Sequence, residues 1–198
     1  MKYISQLDYA HVPYRTQVLN DAVPPELKLR TVRKSGCGLC SVCMMIENMT
    51  DKTLSVEECV KISEDCVANH HRGTDLGVLG PVVAEKFNLN YTATADLSQA
   101  IEHLQNGGMI VGNVAVPEGK EVGLFTNGGH YVLLVSTNGK EFCILDPSYS
   151  VEKYNHPDRV GRLNVKHAPF LYCDVNVYHS ETRKGREFKY YMFSRKSD

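Results

Sequence analysis

The stretch 129-GHYVLLVSTNGKEFCILDPS-148 reads as two apolar strands folded about an Asn-Gly turn. Asn-Gly between alternating or continuous apolar runs is the strongest short-range hairpin signal, because both residues accept the positive φ of a type I′ turn. A two-residue turn at Asn138-Gly139 pairs positions whose numbers sum to 277, so His130 faces position 147. Asp146 then lies beside His130 at the open end of the hairpin. Working outward, 109-MIVGNVAV-116 reads as a buried strand, and 117-PEGKEVGLFTNGG-129 as a long glycine-containing loop, a candidate rim or lid that leads into His130. Downstream, 170-FLYCDVNVY-178 and 187-EFKYYMF-193 add to the sheet.

Upstream the period changes from two to 3.6. Leu39, Val42, Cys43, Ile46 and Met49 mark a helix over about 37–48. Ser55 with Glu58 forms a capping box for a second helix through about Cys66. Thr74 or Asp75 caps a third, with Leu76, Leu79, Val83 and Phe87 on one face and Pro81 demanding a late start or a kink. Asp96 opens a fourth, which Asn106-Gly107-Gly108 ends. Residues 11–35, punctuated by His-Val-Pro and Val23-Pro24-Pro25, read as irregular. Helices first and mostly antiparallel strands after is an α+β layout, not the alternation of a parallel α/β fold.

The chain has 198 residues, enough for one domain (1–198) with a full hydrophobic core. Its net charge of −1 gives no case for nucleic acid or an anionic membrane. Residues 151–198 are mildly basic, 10 Lys/Arg against 6 Asp/Glu, and 183-RKGR-186 within them reads as solvated surface. There is no apolar leader and no run long enough for a membrane span. Seven cysteines, an odd number, point to reduced thiols and a cytoplasmic location.

Cys37, Cys40 and Cys43 lie three apart in 34-KSGCGLCSVCMMIENMT-50. An iron–sulfur set of the ferredoxin type needs a fourth Cys where Glu47 stands, and on a helix the three thiols fan apart. A Cys37–Cys40 disulfide lacks the preceding strand of a thioredoxin motif. Cys43 shares the apolar face and reads as a small core hydrophobe. Cys37 differs: Gly36 and Gly38 flank it, and it stands where helix amides and the macrodipole favour a thiolate. A nucleophilic Cys needs a His base and an orienting carboxylate, and the hairpin supplies His130 and Asp146. Either one alone also reads as structural, His130 as an edge residue and Asp146 as a turn former.

The order Cys, His, Asp resembles papain-like cysteine peptidases of the C39 type, above all the C39-like domains, a family that includes bacterial proteases trimming double-glycine leaders. The resemblance rests on 5-SQLDYAHVPY-14, 36-GCGLCSVCMMI-46, 129-GHYVLLV-135 and 144-ILDPS-148, and covers about residues 1–150. Leu39 and Cys40 replace the Pro and small residue usual after Gly-Cys-Gly, and the Trp often following the N-terminal Gln-x-Asp is absent. The resemblance implies an α+β papain-like fold and a thiol hydrolase of peptide or small amide substrates. Cys37 would be the nucleophile, His130 the base, Asp146 its orienter and Gln6 the oxyanion donor, with Gln17 as a second choice of donor and no cofactor or metal. An acyltransferase using the same triad, or a domain that only binds peptide or metal, are the other readings. His70-His71 with Arg72 is expected to close the second helix, and Tyr190-Tyr191 to bury one ring and expose the other.

Overall fold

The computed structural model describes residues 1–17, 29–70, 73–185 and 187–196. Pro24, Pro25, His71, Arg72 and Arg186, singled out above, lie outside the described residues. Ser5 caps a short 3₁₀ turn, Gln6–Asp8, through the Leu7 amide. Strand β1 (Pro13–Arg15) pairs antiparallel with β2 (Leu29–Thr31), so the stretch read as irregular holds a small ribbon. Pro13 stands at its first position, where a missing N–H costs no ladder bond. Helix α1 (Val32–Ser35) follows, then α2 (Cys37–Met49), α3 (Val56–Asp65), β3 (Asn69–His70), β4 (Gly73–Thr74), α4 (Leu76–Lys86), β5 (Leu89–Thr94) and α5 (Leu97–Gln105). The remaining elements are β6 (Met109–Ala115), β7 (Gly129–Thr137), β8 (Glu141–Leu145), α6 (Val151–Tyr154), β9 (Asn164–His167), β10 (Phe170–Asp174), α7 (Val175–Ser180) and β11 (Tyr190–Arg195).

The expected caps are in place. The Ser55 hydroxyl accepts from Glu58 N–H, the Asp75 carboxylate from Gly77 N–H, and the Asp96 carboxylate from Gln99 N–H. Helix α4 starts directly after Asp75 and passes through Pro81, so the proline does not delay it. His70 is not at a helix end: α3 stops at Asp65, and His70 of β3 pairs with Gly73 of β4. The run 170–178 is only half strand. Asp174 accepts from Asn176 and Val177 N–H, and that cap turns the chain into α7.

Among the described residues the main sheet has seven strands in the order β5-β11-β6-β7-β8-β10-β9, and every pair is antiparallel. β11, late in the chain, lies between β5 and β6. Helices cover both faces. Leu39, Val42, Met45 and Ile46 of α2 meet Val111, Leu133, Val135 and Leu145 in one core, and Ala100, Leu104 and Tyr178 meet Ile110, Val132, Leu134 and Ile144 in the other. Successive strand residues point to opposite faces, so a doubly covered strand reads as the unbroken apolar run VLLV. For the same reason Tyr190 and Tyr191 are both buried, one on each face, and the expectation of one solvated ring fails.

The hairpin register also differs. Leu133 faces Leu145 and Leu134 faces Ile144, a sum of 278, and beyond a bulge Thr137 faces Phe142. The turn centres on Gly139-Lys140, with Gly139 at φ 84° and Asn138 N–H donating to Glu141 O at 3.3 Å. Asn138 serves instead as an Asx cap: its side-chain oxygen accepts from Lys140 and Glu141 N–H at 2.9 and 2.7 Å.

Candidate active site

Helix α2 begins at Cys37 and runs thirteen residues into the core. Gly36 makes the tight α1–α2 joint possible, since a Cβ there would stand 2.4 Å from Val32 Cγ1. The His130 imidazole and the Tyr131 and Gly38 amides act on the Cys37 thiol. Burial pushes its pKa up, but the hydrogen bond and charge of His130, with the two amides, outweigh burial and hold the thiol below its ordinary value. Cys40 and Cys43 are fully buried, and burial pushes both thiols well up. All seven cysteines are free. Among the described residues no three His, Cys, Asp or Glu side chains converge as a metal site.

His130, second residue of β7, is 7% exposed. Its Nε2 lies 2.7 Å from Asp146 Oδ1, which leaves Nδ1 to the thiol. Desolvation lowers the imidazolium's stability, Asp146 restores it, Lys153 opposes it, and the hydrogen bonds to Asp146 and Cys37 tip the balance upward. Asp146 is fully buried at the end of β8. Burial alone would raise its pKa; Lys153 and His130 hold it far below the carboxylate range. The predicted neighbourhood of His130 and Asp146 therefore exists, although the one-residue register shift places position 148 opposite His130. Ser148 indeed reaches the ring, with Oγ 3.1 Å from Nε2.

Gln6 is buried between these parts. Its backbone N–H donates to Pro147 O at 2.8 Å, and its side-chain amide donates to Arg33 O at 2.8 Å, four residues before Cys37. Gln17 stands elsewhere: its amide donates to Glu64 O at 2.5 Å and its carbonyl accepts from Asn69 N–H. Of the 117–129 loop, Gly129, the first residue of β7, borders the Cys37 cavity, and 117–128 does not. Leu124 and Phe125 anchor it in the core, Glu181 accepts from the Leu124 amide at 2.7 Å, and Arg159 donates to Gly123 O at 2.9 Å and to Asn127.

The sequence reading missed the shell around Asp146. Lys153 Nζ lies 2.5 Å from Asp146 Oδ2 and donates to Ser148 Oγ at 2.7 Å; Tyr154 donates to the same carboxylate oxygen at 2.5 Å. The Ser148 amide and hydroxyl take Oδ1 at 2.8 and 3.0 Å, and Tyr3 donates to the Asp146 carbonyl at 2.8 Å. The available signal was Ser150 ahead of 151-VEKY-154, an N-cap that makes α6 and turns Lys153 and Tyr154 back toward the Asp-Pro corner.

Cys37 and His130 open on a cavity of about 160 Å³ bordered by His70, Thr74, Asn113 and Tyr131. His70 faces Asp75 at 3.9 Å there. Arg183, expected on a solvated surface, stands at the same cavity.

No family model matches the chain, and no curated protein is similar to it. Among solved structures, a candidate C39-like peptidase from Bacillus anthracis superposes with a TM-score of 0.56 at 11% identity, over 96% of this chain and 97% of that one. The fold is C39-like, of the papain type. In this chain α2 presents Cys37 to His130 on β7. Among the described residues no helix of this C39-like fold is long and apolar enough to cross a membrane.

Proposed function

We propose that the protein is a thiol hydrolase that cleaves a peptide or amide bond through Cys37, His130 and Asp146. The observation that carries this reading is the single imidazole between a buried carboxylate, 2.7 Å away, and a thiol whose pKa is held below its ordinary value. Cys37 attacks the scissile carbonyl as a thiolate, and the carbonyl pair moves onto oxygen. The Cys37 amide, in the first turn of α2, and the second amide hydrogen of Gln6 receive that oxyanion; one such donor contributes roughly 3 kcal/mol in kcat. The His130 imidazolium gives its proton to the leaving nitrogen as the C–N bond breaks, leaving a thioester on Cys37. His130 then takes a proton from water, which attacks the thioester, and the C–S bond breaks to release acid and thiolate. Asp146 keeps the ring oriented and supports its positive form.

The test is the pH dependence of iodoacetamide alkylation at each cysteine, located by mass spectrometry. Cys37 should react alone and fast well below neutral pH, and His130→Ala should return it to the profile of a free thiol near ~8.5. A wild-type Cys37 that already titrates like a free thiol removes the mechanism.

A further inference from the structure

We infer that the Cys37 cleft holds a carboxylate of the substrate beside the scissile bond, met by Arg30, Lys34 and Arg183. This rests on the thiol-hydrolase reading and names the substrate class. Arg30 on β2 and Lys34 on α1 stand on the bank that carries Cys37, and Arg183, in the segment after α7, stands on the other. The three border one mouth with Ser35, Gly73 and Gly129.

Among the described residues the cleft itself does not balance the charges of Arg30 and Lys34. Arg30 donates to Ser35 Oγ at 3.2 Å, and no carboxylate among the described residues forms an ion pair with Arg30 or Lys34. The acid in the cavity, Asp75, is occupied: Oδ1 caps α4 through the Gly77 amide at 2.8 Å, and Oδ2 faces His70. A chain of net charge −1 has no general excess of cations to scatter here. Of the two glycines, Gly73 leaves its wall bare and Gly129 lets Arg183 lie against the strand. Nothing lies within 4 Å of a Cβ built on Gly73, and one built on Gly129 would stand 3.0 Å from Arg183 Nη1, so the guanidinium covers that strand directly. An extended substrate can therefore lie close to Cys37 with an anionic group between cations on both banks. Guanidinium suits a carboxylate because its planar fork matches the two oxygens. That carboxylate is either an Asp or Glu side chain or a free C-terminus; both present the same chemistry.

Iodoacetate and iodoacetamide read the cleft without a known substrate, since they differ by one negative charge. Their rate ratio at Cys37, at low ionic strength and fixed pH, divides out the intrinsic reactivity of the thiol. Lys34→Gln and Arg30→Gln should each lower the ratio about threefold, the effect of removing a unit charge roughly 7 Å away in water. Lys140→Gln, at the far end of the β7–β8 hairpin, should not change it. A ratio equal in wild type and both cleft variants overturns the proposal. Protection of Cys37 against iodoacetamide then distinguishes the two sources. N-acetylglutamic acid α-amide protecting best assigns a side-chain carboxylate, and N-acetylglutamine protecting best assigns a terminal one. Neutral N-acetylglutaminamide protecting as well as either overturns the proposal. A Cys37 that iodoacetamide modifies slowly and without low-pH preference instead removes the hydrolase reading, a result distinct from an unchanged ratio.

Discussion

Replacing Lys153 with Met should raise the pKa of His130, not lower it. Met keeps most of the side-chain length and removes the charge. Lys153 Nζ lies 2.7 Å from Ser148 Oγ, which lies 3.1 Å from His130 Nε2, so the ammonium is within about 6 Å of the ring. Its side chain is 13% exposed, so solvent screens it only in part. At an effective dielectric of ~20, a unit charge at ~6 Å is worth nearly ~3 kcal/mol, or about two pKa units. The sign follows from what Lys153 now does: it disfavours the imidazolium directly and shares the Asp146 carboxylate that supports it. Asp146 stays ionised in the variant, because His130, Ser148 and Tyr154 still hydrogen-bond it. The thiolate–imidazolium pair therefore persists to higher pH, and the alkaline limb of Cys37-dependent activity moves up. Titration of the His130 ring nitrogens by ¹⁵N NMR measures this directly. A His130 titration unmoved or shifted downward in Lys153→Met would refute the assignment of Lys153 as a charge that limits the imidazolium. The variant should also melt earlier, since it breaks a buried pair.

Asp146, depressed in the fold, contributes stability that is present above its unfolded value near ~4 and lost as pH falls below it; thermal scans between about pH 6 and 3 should show wild-type Tm dropping and Asp146→Asn nearly flat. Gly112→Ala should cost ~1–3 kcal/mol in urea denaturation, because its Cβ would stand 1.9 Å from the Tyr178 hydroxyl. That hydroxyl is buried without a partner among the described residues, so Tyr178→Phe alone should be neutral or stabilising, and it should relieve much of the Gly112→Ala cost in a double-mutant cycle. Glu181→Ala should speed hydrogen exchange at the Leu124 amide, whose acceptor it removes, and loosen the 117–128 loop.

What could be read from the sequence was local. Ser55, Asp75 and Asp96 announce their helices because a cap acts within three residues. Cys37 was visible as the head of α2, and His130 with Asp146 as one end of a hairpin. The register was read one position off because Asn138 used its side chain as the cap, a choice that Asn-Gly alone does not reveal. β5 was missed because its Asn-Tyr-Thr-Ala-Thr is weakly apolar and depends on β11 for pairing. α7 hid inside an apolar run that only the Asp174 cap divides. Lys153 was beyond reach for another reason: a long ammonium can point in many directions, and only the fold aims it at Asp146.

The position of β11 has a consequence for synthesis. Chain order and strand order part company there: β5 and β6 appear early, yet each waits for a neighbour made at residues 190–195. Until that segment leaves the ribosome, two bare strand edges face each other across a gap one strand wide, next to the strand that pairs with β7 and its histidine. The gap is also a slot that any extended segment of suitable pattern can enter. A chaperone that shields strand edges would find its target in this half-made sheet.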